Sequence, residues 1–148
     1  MARDLPAETL HEIADGVHVW FQPGGATGVA NAGVVADDDG LTVVDTLMVR
    51  SQWEPFAAAV HALDVPVRRV VLTHAHIDHV GGTRAFPAAA VYATPETSWA
   101  LDQPMPTAAY QAFMPAFSDE FVDLETIGTR PVTHEVGGAA AASSSIRG

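Results

Sequence analysis

Arg68-Arg-Val-Val-Leu-Thr73, running straight into His74-Ala-His-Ile-Asp-His-Val-Gly-Gly82, is the stretch on which the reading of this chain turns. Its first half is a short β-branched, apolar run that predicts a buried strand, and the histidines begin where that run stops. Upstream, Phe56, Ala59, Val60 and Leu63 fall on one face of a helix predicted from Ser51 to about Leu63. Ser51 is the expected cap, Glu54 completes a capping box, and Pro66 ends the segment. Before it, Leu41-Thr-Val-Val-Asp45 reads as another strand. Strand, helix, strand predicts an α/β fold in which helices pack on a sheet.

Within the histidine stretch the spacing itself carries chemistry. Residues two apart in extended backbone point the same way, so His74 and His76 present their imidazoles to one point, while the following turn brings Asp78 and His79 alongside. Four donors then come from one loop, and the candidate metal ligands are His74, His76, Asp78 and His79. Imidazole nitrogen and carboxylate oxygen without thiolate suit Zn²⁺ first, with iron or manganese also compatible. The competing reading is a polar loop of structural histidines, but four adjacent titratable groups without a cation repel one another when protonated. His11, His18 and His61 stand alone and are read as structural.

Working outward, Val17-His-Val-Trp-Phe21 and Asn31 to Ala36 predict two strands flanking a turn at Pro23-Gly24-Gly25. Asp37-Asp-Asp-Gly40 is a turn joining the second of these to Leu41–Asp45 as a hairpin. Downstream, Gly81-Gly82 permits close backbone approach, residues 89–93 predict a strand, and Pro95 suits the first turn of a helix toward Leu101. Asp102 to Ser118 mixes prolines with aromatic residues and reads as a helix-containing insertion or lid. Pro131 to Val136 predicts a last strand. Residues 1–136 are thus expected to form one domain, and residues 137–148, rich in small side chains, a frayed tail.

The whole-chain properties narrow the classes of function. With 148 residues, 48% of them hydrophobic, the chain can build one core. A net charge of −11, with all seven cations arginine and scattered, argues against nucleic acid as a partner. The absence of cysteine excludes disulfides, thiolate ligands and thiol catalysis. No run approaches the roughly 18 apolar residues of a membrane span, and the first residues lack a signal-peptide core, so no membrane partner and a cytoplasmic location are expected.

Through Asn31-Ala-Gly-Val, the strand ending Val44-Asp45-Thr46 and the loop Thr73 to Gly82, the chain resembles the metallo-β-lactamase superfamily over roughly residues 12–136. The resemblance implies an αββα sandwich with metals at one edge. It implies His74 and His76 on a first metal, and Asp78 and His79 on a second. Asp45 lies either beneath the loop as a support for the ligands or as a cap on its own turn. The motif does not choose among β-lactamases, thioesterases, lactonases, sulfatases and phosphodiesterases.

Members of that superfamily complete their sites with later histidines and a bridging aspartate. Here the one downstream histidine is His134, inside a segment that reads as strand, and no aspartate follows Asp123. The chain is therefore expected to correspond to the N-terminal half of the fold, an incomplete sandwich. Its open apolar face would favour a homo-oligomer or a partner chain. Two functions follow. The first is a zinc-dependent hydrolase, holding one or two ions, in which metal-activated water attacks a small-molecule ester, thioester, lactone or β-lactam and Asp78 orients or deprotonates that water. The second is a truncated, catalytically silent metal-binding or assembly module. A flavin-linked oxidoreductase of the same superfamily would need a separate nucleotide-binding domain, since no glycine fingerprint occurs here.

Overall fold

The computed structural model describes residues 8–122 and 128–137. Seven strands form one mixed sheet in sequence order: β1 (Leu10–Ala14), β2 (Val17–Trp20), β3 (Ala32–Asp37), β4 (Gly40–Val44), β5 (Val67–Val71), β6 (Ala90–Ala93) and β7 (His134–Glu135). The first four are antiparallel neighbours, and β4 through β7 run parallel. Parallel neighbours need crossovers. The one from β4 to β5 is helix α1 (Arg50–His61), and the one from β6 to β7 contains α3 (Pro95–Leu101) and α4 (Thr107–Phe113). Between β5 and β6 the crossover is the histidine loop, with one short turn of helix, α2 (Ile77–Val80).

The register shows how the core is built. Val34, Val43, Val70 and Val91 pair side by side across four strands, and each is fully buried. Burying each such side chain stabilises the fold by about 1.5–3 kcal/mol relative to exposure. Phe56 and Val60 of α1 are fully buried in the same cluster, and the Phe56 ring meets Trp20 of β2 at 5.7 Å between centroids. The opposite face carries Gly33, Val44, Val71 and Tyr92 in a second row, all half-buried, with Val35 38% exposed one step along β3. Alternate residues of one strand thus face a closed layer and a half-open one.

The helix cap and both ends of the sheet differ from expectation. Helix α1 is capped at Val49, not Ser51. The Gln52 side-chain oxygen accepts from the Met48 and Val49 amides, while Ser51 is bonded through its amide and hydroxyl to the Glu120 carboxylate. Glu54 therefore plays no capping-box role. The last strand is two residues, shorter than the predicted Pro131–Val136, and β1 precedes the first strand expected from the sequence. The lid-like segment is α4 followed by a 3₁₀ stretch, Pro115–Phe121. The predicted tail beyond Gly137 lies outside the described residues. Among the described residues no helix is long and apolar enough to cross a membrane.

Candidate metal centre

Ligands of open α/β sheets gather at the carboxyl ends of the parallel strands. Here Asp45 follows the end of β4, Thr73 and His74 follow β5, and Thr94, which caps α3, follows β6. The Asp45 amide bonds back to the Val71 carbonyl, which continues the β4–β5 ladder to the lip of the sheet. Beyond it the backbone turns sharply. Asp45 and Leu47 take φ of 59° and 64°, in the left-handed region, and Leu47 is fully buried there. Branched or bulky residues adopt that conformation only when surrounding contacts enforce it.

Those contacts come from the histidine loop. The Thr46 amide and hydroxyl both donate to the His79 carbonyl, at 2.7 and 3.1 Å, and the Gly81 amide donates to the Leu47 carbonyl at 2.8 Å. The two chain segments approach so closely that a Cβ on Gly81 would sit 1.9 Å from the Met48 carbonyl oxygen, and one on Gly82 2.3 Å from that of Thr46. Only glycine fits at either position. Buried Thr83 completes the joint by donating to the Val80 carbonyl at 2.6 Å, with its hydroxyl 3.3 Å from that of Thr46.

On this joint stand the motif side chains. The imidazoles of His74 and His76 lie 4.6 Å apart between centroids, and those of His74 and His79 4.1 Å apart. Asp78 brings a carboxylate oxygen to 3.7 Å from His79 Nε2. Beneath them, Asp45 is 5% exposed and holds three donors: the Thr73 amide, the Thr73 hydroxyl and His79 Nδ1, at 2.8, 2.8 and 2.7 Å. Asp45 is therefore a support beneath the loop. His79, with Nδ1–H donating to a carboxylate, has its Nε2 lone pair free for a cation, the arrangement usual for metal-bound histidine. Loss of solvent lowers the His74 pKa from the ordinary value, helped by its neighbours His79 and His76 and opposed by Asp45 and Asp78. A neutral imidazole is the ligating form.

All four predicted ligands are thus neighbours on one loop. Among the described residues, no three His, Cys, Asp or Glu side chains are already grouped to hold an ion, so the donors fit a metal in kind and neighbourhood without forming a closed cage. His134 stands apart from this set, stacked flat on Tyr92 at 4.6 Å with its Nδ1 against the Thr133 hydroxyl. Arg130 donates to the Phe86 and Ala89 carbonyls, a structural role. Thr46, Thr73 and Thr83 escape a motif search because a threonine beside a glycine or histidine has no distinctive spacing.

Beside the motif lies a cleft of about 440 Å³, within the range of small-molecule sites. One wall is the loop Gly25, Ala26, Thr27 and Gly28, and the floor is Ala75, His76, Ile77 and Asp78. The other wall is Tyr110, Phe113 and Met114 of the α4 segment. Gln52 secures the first wall by donating to the Gly28 carbonyl at 2.9 Å. Burial raises the Tyr110 phenol pKa, and the Asp78 charge adds to the shift.

A histidine and carboxylate loop thus sits at the carboxyl edge of a half-open mixed α/β sheet. The chain belongs to the metallo-beta-lactamase superfamily, whose model matches residues 25–142. Solved structures agree on the fold. It is similar to a metallo-beta-lactamase from Erythrobacter litoralis with beta-mercaptoethanol in its active site, at 24% identity and TM-score 0.53, covering 90% of this chain and 55% of that one. It is also similar to FIM-1 of Pseudomonas aeruginosa in a mono-zinc form, at 22% and 0.55, covering 91% and 52%. A beta-lactamase domain protein of Burkholderia ambifaria matches at 23% and 0.60, covering 92% and 45%. The chain spans about half the length of these structures, as expected for an N-terminal half of the fold.

Proposed function

We propose that this chain supplies the first half of the metal site of a zinc-dependent hydrolase acting on an ester, thioester, lactone or β-lactam. The observation that carries this reading is the set of three imidazoles and one carboxylate gathered after β5, with Asp45 fixing His79 so that its Nε2 is bare. His74, His76, Asp78 and His79 would hold the metal, which when bound lowers the pKa of water and polarises a carbonyl oxygen. Asp78 lies at the edge of the cleft floor, where its carboxylate can accept a proton from the attacking water. Phe113, Met114 and the ring of Tyr110 offer an apolar surface to the body of a substrate beside that carboxylate. Further polypeptide over the half-open sheet face is part of the proposal, since similar structures are about twice as long.

The test is zinc content by plasma mass spectrometry on the purified chain beside a His76→Ala variant, with size exclusion reporting how many chains share a site. Near-stoichiometric zinc in the parent and its loss in the variant are expected. A parent that holds no zinc overturns the reading.

A further inference from the structure

Asp45 bonds to His79 directly, and through one intervening residue it also reaches His74. The carboxylate oxygen that accepts from His79 Nδ1 accepts as well from the Thr73 hydroxyl, at 2.8 Å, and that hydroxyl oxygen lies 3.0 Å from His74 Nδ1. The proton count at this oxygen is decisive. A hydroxyl has one proton and two lone pairs, and an ionised carboxylate can only accept. With the Thr73 proton committed to Asp45, only lone pairs face His74, so His74 Nδ1 must carry the proton and donate. The opposite assignment, with Thr73 donating to His74, would take a donor from the carboxylate and give up the shorter, charge-assisted bond for a longer neutral one. The Thr73 amide fixes the geometry by donating to the other oxygen of Asp45 at 2.8 Å, so that backbone and side chain of one residue grip both carboxylate oxygens.

We propose that Thr73 is a positioning residue that extends the hold of Asp45 to His74, so that one buried carboxylate sets two imidazoles, His74 and His79, as Nδ1–H tautomers with Nε2 bare. The inference rests on the metal-site reading only for its purpose, since the tautomers are a property of the metal-free chain. Neutral imidazole otherwise distributes between two tautomers, and a ligand held in the wrong one must rearrange before it binds a cation. Thr73 thus removes that rearrangement at the first histidine of the motif, and Asp45 removes it at the last.

The experiment is long-range ¹H–¹⁵N correlation of the imidazole nitrogens in the chelator-treated 148-residue protein, above the pH at which its histidines are protonated. His74 and His79 should both appear with Nδ1 protonated and Nε2 unprotonated. In Thr73→Val, which keeps the shape and removes the hydroxyl, His74 should become a mixture of tautomers while His79 keeps its own, and Thr73→Ser should restore the parent pattern. Zinc affinity by competition with a chromophoric chelator should fall about tenfold in the valine variant, as for loss of other partners behind metal ligands, and recover in the serine variant. The unchanged His79 signal certifies that the loop is still folded. A His74 tautomer that is unchanged in Thr73→Val, or that stays mixed in Thr73→Ser, overturns the assignment. Absence of zinc binding with the tautomer pattern intact would sink the hydrolase reading and leave this one standing.

Discussion

The two sides of the cleft are built by different physics. The motif side is a joint of polar bonds between segments far apart in sequence: Asp45 to Thr73, Thr46 to His79, Leu47 to Gly81. Its glycines have no free volume around them, and its buried hydroxyls are satisfied. The α4 side has no buried residue within the helix, leaves Phe113 72% exposed, and is anchored by Met114, Phe121 and the Glu120 carboxylate on Ser51. Ligating atoms must be held to fractions of an ångström, whereas a wall that shapes a substrate can shift by more than that without loss of chemistry. Under the proposed function, the difference separates side chains that must hold their position from a wall free to change in outline.

The contrast can be broken most severely at Gly81. Gly81→Ala puts a methyl group into the Met48 carbonyl, and the two segments must part. A loss of about 3 kcal/mol is expected, the upper range for an overpacked site, read by thermal denaturation as a midpoint lower by about 10 °C. Next is Asp45→Asn, which keeps the shape but turns a donor toward His79 Nδ1 or toward Thr73. Because a buried, charge-assisted acceptor is removed, a cost of about 2 kcal/mol is expected in denaturant titrations, with zinc affinity reduced at least about tenfold by calorimetry. An unchanged denaturation midpoint in this variant would mean that the joint is not held as described. The smallest effect belongs to the other wall. Glu120→Gln weakens the tie to Ser51, and a change of about 0.5 kcal/mol or less is expected, since the bonds are exposed. Hydrogen exchange should nevertheless speed up in α4 and not in α2, and equal acceleration of both would show that the two walls are one unit.

The motif side was also the more legible in sequence. Fixed offsets put His74, His76, Asp78 and His79 on one loop, the apolar run before them marked the strand, and Gly81-Gly82 announced a close approach. Strands β2 to β6 and helices α1 and α3 came from hydrophobic period and from turn residues, which act over a few positions. What stayed hidden was long-range. Nothing local says that Ser51 will be claimed by a carboxylate 69 residues away, leaving Gln52 to cap the helix in its place. The exposed strand β1 lacks an alternating apolar signal, and the strand predicted over Pro131–Val136 is cut to the two residues that pair with Tyr92 and Ala93. Thr73 stands at the head of the loop, but its role depends on Asp45, 28 residues earlier.

The left-handed turn at Asp45 to Leu47 also bears on the order of events when the chain folds. Its strained backbone is held by bonds to residues 28 to 37 positions later, so it has no support until β4 and β5 have paired and the loop beyond β5 has returned. Contacts of that span form late, after the loop-closure entropy of the intervening segment has been overcome. The histidines are therefore expected to reach their final orientation only after β4 and β5 have paired. On the proposed metal-site reading, the rate of zinc uptake during refolding would serve as a clock for the completion of the sheet.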